Sequence, residues 1–261
     1  MIKWGMYMLK DKRRQQILEL LKRDGQVEIS VLRKMFDVTE MTIRRDLDNL
    51  AAAYDIVRTH GGAMLSDIQQ SIELPYERRI GSQGDEKKRI AMKALSLIKH
   101  RQTLFFDSGS TTYYMAQNIG NDKRNTILTT GVNLAPELLN RQNVSVIMIG
   151  GDLRRNTISS CGPLAEEQLN KFRVDIAFLG ANGVGDDGYV YIGNSTELGI
   201  KNTVMNIAKE NYLLVDSSKF GCSQFLHYAK LSDFDGVISD PGLSEDIIKK
   251  MKKMGANIII A

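Results

Sequence analysis

The chain has 261 residues, 43% of them apolar, which suffices for a sizeable core and excludes wholesale disorder. Its net charge is +4, and the first 65 residues hold 12 Lys and Arg against 9 Asp and Glu, so most of the excess sits at one end, as suits an anionic partner there. No run reaches the roughly 18 apolar residues that span a bilayer, the start MIKWGMYML is too short and broken for a secretory signal, and the two cysteines, Cys161 and Cys222, form neither a disulfide framework nor a zinc site. A cytoplasmic protein without metal or cofactor is expected.

Helical periodicity begins only near Asp11, so residues 1–10 are expected to be a frayed extension. Residues 11–24, DKRRQQILELLKRD, read as an amphipathic helix with Ile17, Leu20 and Leu21 on one face, ended by Gly25. A second helix is expected from about Ser30 as N-cap, burying Val31, Leu32 and Met35 or Phe36. After a turn at Asp37-Val38, Thr39 can cap a third helix running to about Leu50. Its Ile43, Leu47 and Leu50 form a buried stripe, and at about 100° per residue the opposite face carries Met41, Arg44, Arg45 and Asp48. DIVRTHGGAM then alternates apolar with polar and turns at Gly61-Gly62, as a short hairpin does.

Three short helices, a tight turn before the last, and a hairpin make a winged helix-turn-helix over residues 11–64. The third helix fits the major groove of double-stranded DNA, and its first turn, Thr39, Glu40, Met41 and Thr42, offers backbone N–H groups and side chains. Arg44 and Arg45 are placed to reach phosphate or a guanine edge, and Arg58 and His60 on the wing to touch the adjacent backbone. One such module covers little DNA, so a dimer or tetramer reading repeated half-sites is expected.

Residues 65–85 are polar, with Pro75, Gly81 and Gly84, and read as a linker arm. From Glu86 short apolar runs (TLFF, NTILTT, VSVIMI, DIAFLG, NYLLV, FDGVIS, NIII) alternate with helical stretches, so residues 86–261 are expected to be an α/β domain on a mainly parallel sheet. Ligands of such sheets bind beyond the carboxyl ends of the strands. There Asp107-Ser108-Gly109-Ser110-Thr111-Thr112 opens a helix with N–H groups and hydroxyls, a phosphate cradle that lacks the GxxxxGK of a nucleotide triphosphatase. Other strand ends add Gly150-Gly151-Asp152, Gly180-Ala181-Asn182 and Asp216-Ser217-Ser218-Lys219. Lys219 suits an anion, and Asp107, Asp152 and Asp216 suit sugar hydroxyls, so a small-anion pocket is expected.

These residues resemble the DeoR family of bacterial transcription regulators from about Lys12 onward. The resemblance rests on RRQQIL, FDVTEMTIRRDL and RTHGGA, then on FFDSGSTT, MIGGDLR, FLGANGV, the Glu-x-x-x-Lys of Glu197 and Lys201, and DSSKFG. Two positions depart from the pattern: Thr130 is followed by Gly131 where the family has Asn, and Tyr54-Asp55 stands where a glycine precedes the wing. The resemblance implies a repressor of a carbohydrate-metabolism operon, with a sensor domain related to ribose-5-phosphate isomerase and coenzyme A transferases. That domain would bind a phosphorylated sugar or related metabolite: the 109–112 loop would hold phosphate, and Glu197 and Lys219 would line the same pocket.

The alternative is a working sugar-phosphate isomerase fused to a DNA-binding module. Proton transfer beside a carbonyl needs a positioned carboxylate base. The acidic Gly-Ala-Asp-Glu segment of such isomerases aligns here with Gly180-Ala181-Asn182-Gly183, which has no carboxylate. Asn182 can bond a hydroxyl but cannot take a proton. Glu197 alone is expected to hold a hydroxyl, so binding without turnover is the expectation and no residue is assigned as catalytic.

Overall fold

A computed structural model describes residues 2–24, 26–54, 56–58, 61–65, 76–224 and 226–261, with nothing beyond backbone at 2–9, 22–24, 26, 57–58, 64–65 and 77–78. Its contacts divide the chain into two units, Met1–Ile72 and Glu73–Ala261.

In the first unit, α1 (Ile2–Asp24) leads to β1 (Gln26–Glu28), α2 (Ile29–Phe36), α3 (Glu40–Ala53), β2 (Ile56–Arg58) and β3 (Gly62–Leu65). Ile17, Leu18 and Leu21 of α1, Ile29 and Leu32 of α2, and Ile43, Leu47 and Leu50 of α3 close one core with Val27, Ile56 and Ala63. The expected stripe of α3 is therefore the buried one. Two expectations are corrected. The stretch read as frayed is helical from Ile2, since no proline interrupts it and a nucleated helix propagates at one hydrogen bond per residue. The second helix starts at Ile29, with Glu28 rather than Ser30 at the N-cap position, because β1 pairs with β3 and carries Ile29 into the core. Its buried stripe is then Ile29 and Leu32, while Val31 and Met35 are exposed.

The wing has three strands, in the order β1-β3-β2. Gly62 is required where β3 crosses β1, since a Cβ there would lie 1.9 Å from the Val27 carbonyl oxygen.

The second unit opens with α4 (Tyr76–Gly81) and α5 (Gly84–Leu97) and continues through β4 (Thr103–Phe106), α6 (Ser110–Asn118), β5 (Asn125–Thr129), α7 (Leu134–Leu139) and β6 (Val144–Met148). A hairpin of β7 (Asp152–Arg154) and β8 (Ser159–Cys161) precedes α8 (Pro163–Leu169) and β9 (Val174–Gly180). Then come β10 (Gly183–Val184), β11 (Tyr189–Ile192), α9 (Leu198–Ile207), β12 (Ala208–Leu214), β13 (Leu226–Lys230), β14 (Gly236–Ser239), α10 (Glu245–Lys253) and β15 (Ile258–Ile260). Residues 76–81, read as part of a linker, are thus helical. The structure places Tyr76 in the unit's interior, where its ring meets Tyr113 edge-on at 6.0 Å.

Among the described residues, seven strands form one sheet in the order β15-β14-β12-β9-β4-β5-β6, and every pairing in it is parallel. Apolar runs here alternate between two cores because successive side chains point to opposite faces. Leu104, Phe106, Ile176 and Phe178 fill one core, and Phe105, Ala177, Leu179 and Leu213 the other. The chain builds β4, β5 and β6 outward in one direction, then returns to the other side of β4 for β9, β12, β14 and β15. The switch in direction lies between β4 and β9, and a crevice opens there beyond the strand ends.

Candidate functional site

The candidate DNA-reading helix α3 begins where Thr39 turns the chain. Thr39 Oγ1 accepts from the Thr42 N–H at 3.3 Å and lies 2.9 Å from Thr42 Oγ1. Glu40 Oε1 accepts from Arg44 Nε at 2.9 Å and Nη2 at 2.7 Å, so the structure gives Arg44 a partner on its own helix. Met41 is 61% exposed, and Arg45, also exposed, has no carboxylate partner among the described residues. Beneath them Asp46 is 1% exposed, held by Arg13 Nε at 2.7 Å and Arg14 Nε at 2.8 Å. Sequence reading missed this link between α1 and α3. Its signal was a carboxylate beside the apolar stripe of a helix. His60 and the Arg58 side chain lie outside the described residues.

The second unit carries a cleft at the switch between β4 and β9, enclosing roughly 800 Å³ with its open mouth. Ten of the expected effector residues line it: Asp107, Ser108, Gly109, Ser110, Thr111, Thr112, Asn182, Glu197, Lys201 and Lys219. Gly151 does not. It follows β6 at the sheet edge, and a Cβ there would lie 2.4 Å from the Cys161 carbonyl oxygen, so the glycine serves the turn into β7.

Lys201, 4% exposed, donates from Nζ to Asp107 Oδ2 at 2.5 Å and to the Gly180 carbonyl at 2.8 Å, and lies 5.3 Å from the centre of the Tyr228 ring. Asp107 Oδ2 also accepts from the Gly180 N–H at 2.8 Å, so this ion pair ties the end of β4 to the end of β9. Glu197 pairs with Arg154 at 2.5 Å. Asp216 Oδ1 accepts from the N–H of Ser218 at 3.2 Å and from its hydroxyl. Every carboxylate of the cleft is thus bonded to a group of the protein itself.

Thr112 Oγ1 donates to the carbonyls of Asp107 and Gly109, bracing the loop from inside. Gly109 stands at the N-cap of α6, and the first-turn N–H groups of such a helix have no partner within it.

Sequence reading missed Arg79 and Lys87, which also line the cleft. Lys87 is 5% exposed and donates from Nζ to the carbonyls of Arg79, at 2.5 Å, and Ser82. Burial lowers its pKa to about 8, with Lys219 and Arg79 acting the same way against the carboxylate of Asp216. The signal was present: Lys87 falls on the stripe that Ile90, Ala91 and Ala94 continue into the core. Arg79 gave no such signal in a stretch that read as linker.

Comparison with known proteins follows from both units. Residues 13–69 match the family model of the DeoR-like helix-turn-helix domain, and residues 82–241 match that of the DeoR C-terminal sensor domain. An uncharacterised HTH-type transcriptional regulator of Bacillus subtilis (strain 168) is 34% identical over 94% of this chain and 94% of its own. The glycerol-3-phosphate regulon repressor of Escherichia coli (strain K12) is 33% identical over 89% of this chain and 92% of its own. The solved structure of ribose 5-phosphate isomerase A from Methanocaldococcus jannaschii aligns at 22% identity and a TM-score of 0.40, over 53% of this chain and 55% of that chain. The chain belongs to the DeoR family of transcriptional regulators.

Proposed function

We propose that this DeoR-family regulator is a repressor of a carbohydrate-metabolism operon, released or reset by a phosphorylated sugar or related metabolite bound in the cleft. The DNA contacts come from Thr39, Glu40, Met41, Thr42, Arg44 and Arg45 on α3 and its cap, with Arg58 and His60 on the wing, in a dimer or tetramer acting in the cytoplasm. The relative named as a glycerol-3-phosphate regulon repressor, itself named for a phosphorylated metabolite, supports a ligand of this class.

One observation carries the reading of the cleft. Its cations and the start of α6 converge at a strand switch, while its carboxylates are all engaged within the protein. An anion gains a helix start and ammonium groups there, but a carbon acid meets no unengaged carboxylate base. Asn182, half-buried at the end of β9, suits a sugar hydroxyl. We therefore assign binding without turnover, over an isomerase.

The test pairs sugar phosphates with their unphosphorylated sugars against the full chain. A phosphorylated member is expected to raise the melting temperature, by a stabilisation of about 2.7 kcal/mol at a hundred times its Kd. It should be recovered unchanged by NMR, and its unphosphorylated partner should have no effect. Rapid interconversion of the sugar phosphate would establish the isomerase instead.

A further inference from the structure

α4 and the start of α5 line the cleft and are the first described elements after the winged unit in chain order. Two contacts fasten α4 to α6, the helix whose first turn opens on the cleft. The Tyr76 ring meets Tyr113 edge-on, and the Tyr114 hydroxyl donates to the Ile80 carbonyl at 3.2 Å. A third comes from Lys87, whose ammonium bonds carbonyls at the C-terminal end of α4, where helix carbonyls lack partners and a cation is favoured.

Arg79 stands apart from this bracing. Its Nε and Nη2 are buried with no hydrogen-bond partner among the described residues, and its guanidinium carbon lies 5.9 Å from the centre of the Tyr76 ring. Buried donors without partners are costly, and a guanidinium carries them in a fork that matches two oxygens of a phosphate. The acceptors nearby are committed elsewhere: Asp107 to Lys201, Glu197 to Arg154, and Asp216 to Ser218.

We propose that Arg79 contacts the ligand, gripping its phosphate from the α4 wall, and that α4 is the element through which occupancy of the cleft acts on the chain leading to the winged unit. This rests on the reading of the cleft as a sugar-phosphate site. Lys87 is a positioning residue in this scheme: it holds the end of α4 so that the Arg79 fork stays at the cleft. Ligand binding then orders α4 by giving the fork its missing acceptors, and the change passes along the chain from residue 76 toward the winged unit.

The experiment titrates the full chain with inorganic phosphate by calorimetry and follows backbone hydrogen exchange over residues 76–83. The wild type is expected to bind, with exchange in that stretch slowed by phosphate. Arg79→Gln is expected to bind about tenfold more weakly and to lose the slowing, while Arg79→Lys, which keeps the charge but not the fork, recovers only part of both. Arg79→Gln binding within about twofold of wild type, or exchange at 76–83 indifferent to phosphate in the wild type, would overturn the inference and leave the cleft's assignment standing. Absence of phosphate binding by the wild type would overturn both. Should Arg79→Gln fail to fold, the wild-type exchange and Arg79→Lys decide the matter.

Discussion

Lys87 is an ammonium buried on an otherwise apolar stripe, with its pKa lowered to about 8 from an ordinary 10.5. Between those values the folded chain holds fewer protons than the unfolded one, so the contribution of Lys87 to stability rises with pH across that window. Below about 8 both states are charged, and the cost of the buried ammonium is fully present. The groups that face it are Asp216, Lys219, Arg79 and Glu86. A bound phosphate favours the charged form, so phosphate affinity should fall as pH rises through about 8 and fall less in Lys87→Met. Calorimetry at roughly pH 7 and pH 9 checks this, and an equal fall in both proteins contradicts it.

Lys201 and Asp107 give a second expectation at this scale. Lys201→Met leaves Asp107 buried without its counter-ion and should cost on the order of 3–5 kcal/mol in denaturant unfolding. Adding Asp107→Asn should recover much of that loss, because the uncompensated charge goes with it. Sequence reading named both residues as effector-binding because it saw two polar groups at separate strand ends. Their pairing depends on β4 and β9 lying side by side, which residue types do not reveal.

Among the elements, α3 was the most legible. Its cap, its apolar stripe and its exposed arginine each follow from positions a few residues apart, so local spacing specifies them. Thr39→Ala should cost about 1 kcal/mol of stability by removing the cap. Arg45→Ala should leave the melting temperature unchanged while weakening DNA binding by on the order of 1–3 kcal/mol. Unaltered DNA binding by that variant would mean that α3 does not lie in the groove. β1 and α4 were not legible, for a related reason. β1 has three residues and exists by pairing Val27 with Ala63 far along the chain. α4 is six residues between Pro75 and a glycine-bearing turn, too short to form by propensity, and is held by Tyr113, Tyr114 and Lys87.

At the scale of the whole molecule, the parallel sheet was legible because its strands are buried on both faces and read as continuous apolar runs. The order of the strands was not, and with it went the misplacement of Gly151: only the return of the chain to β9 shows which strand ends meet. That order brings together loops from the ends of β4, β9 and β12, and makes one cleft out of short polar turns.

Joining that cleft to the DNA-reading helix in one chain is the central claim, and coupling between them is a free energy that binding can measure. The direct measurement titrates the full chain onto the DNA upstream of its own gene, with and without sugar phosphates and their unphosphorylated partners. A phosphorylated member should shift DNA affinity about tenfold or more while its unphosphorylated partner leaves it unchanged. DNA affinity indifferent to every sugar phosphate, or equally responsive to the unphosphorylated sugars, would contradict the account.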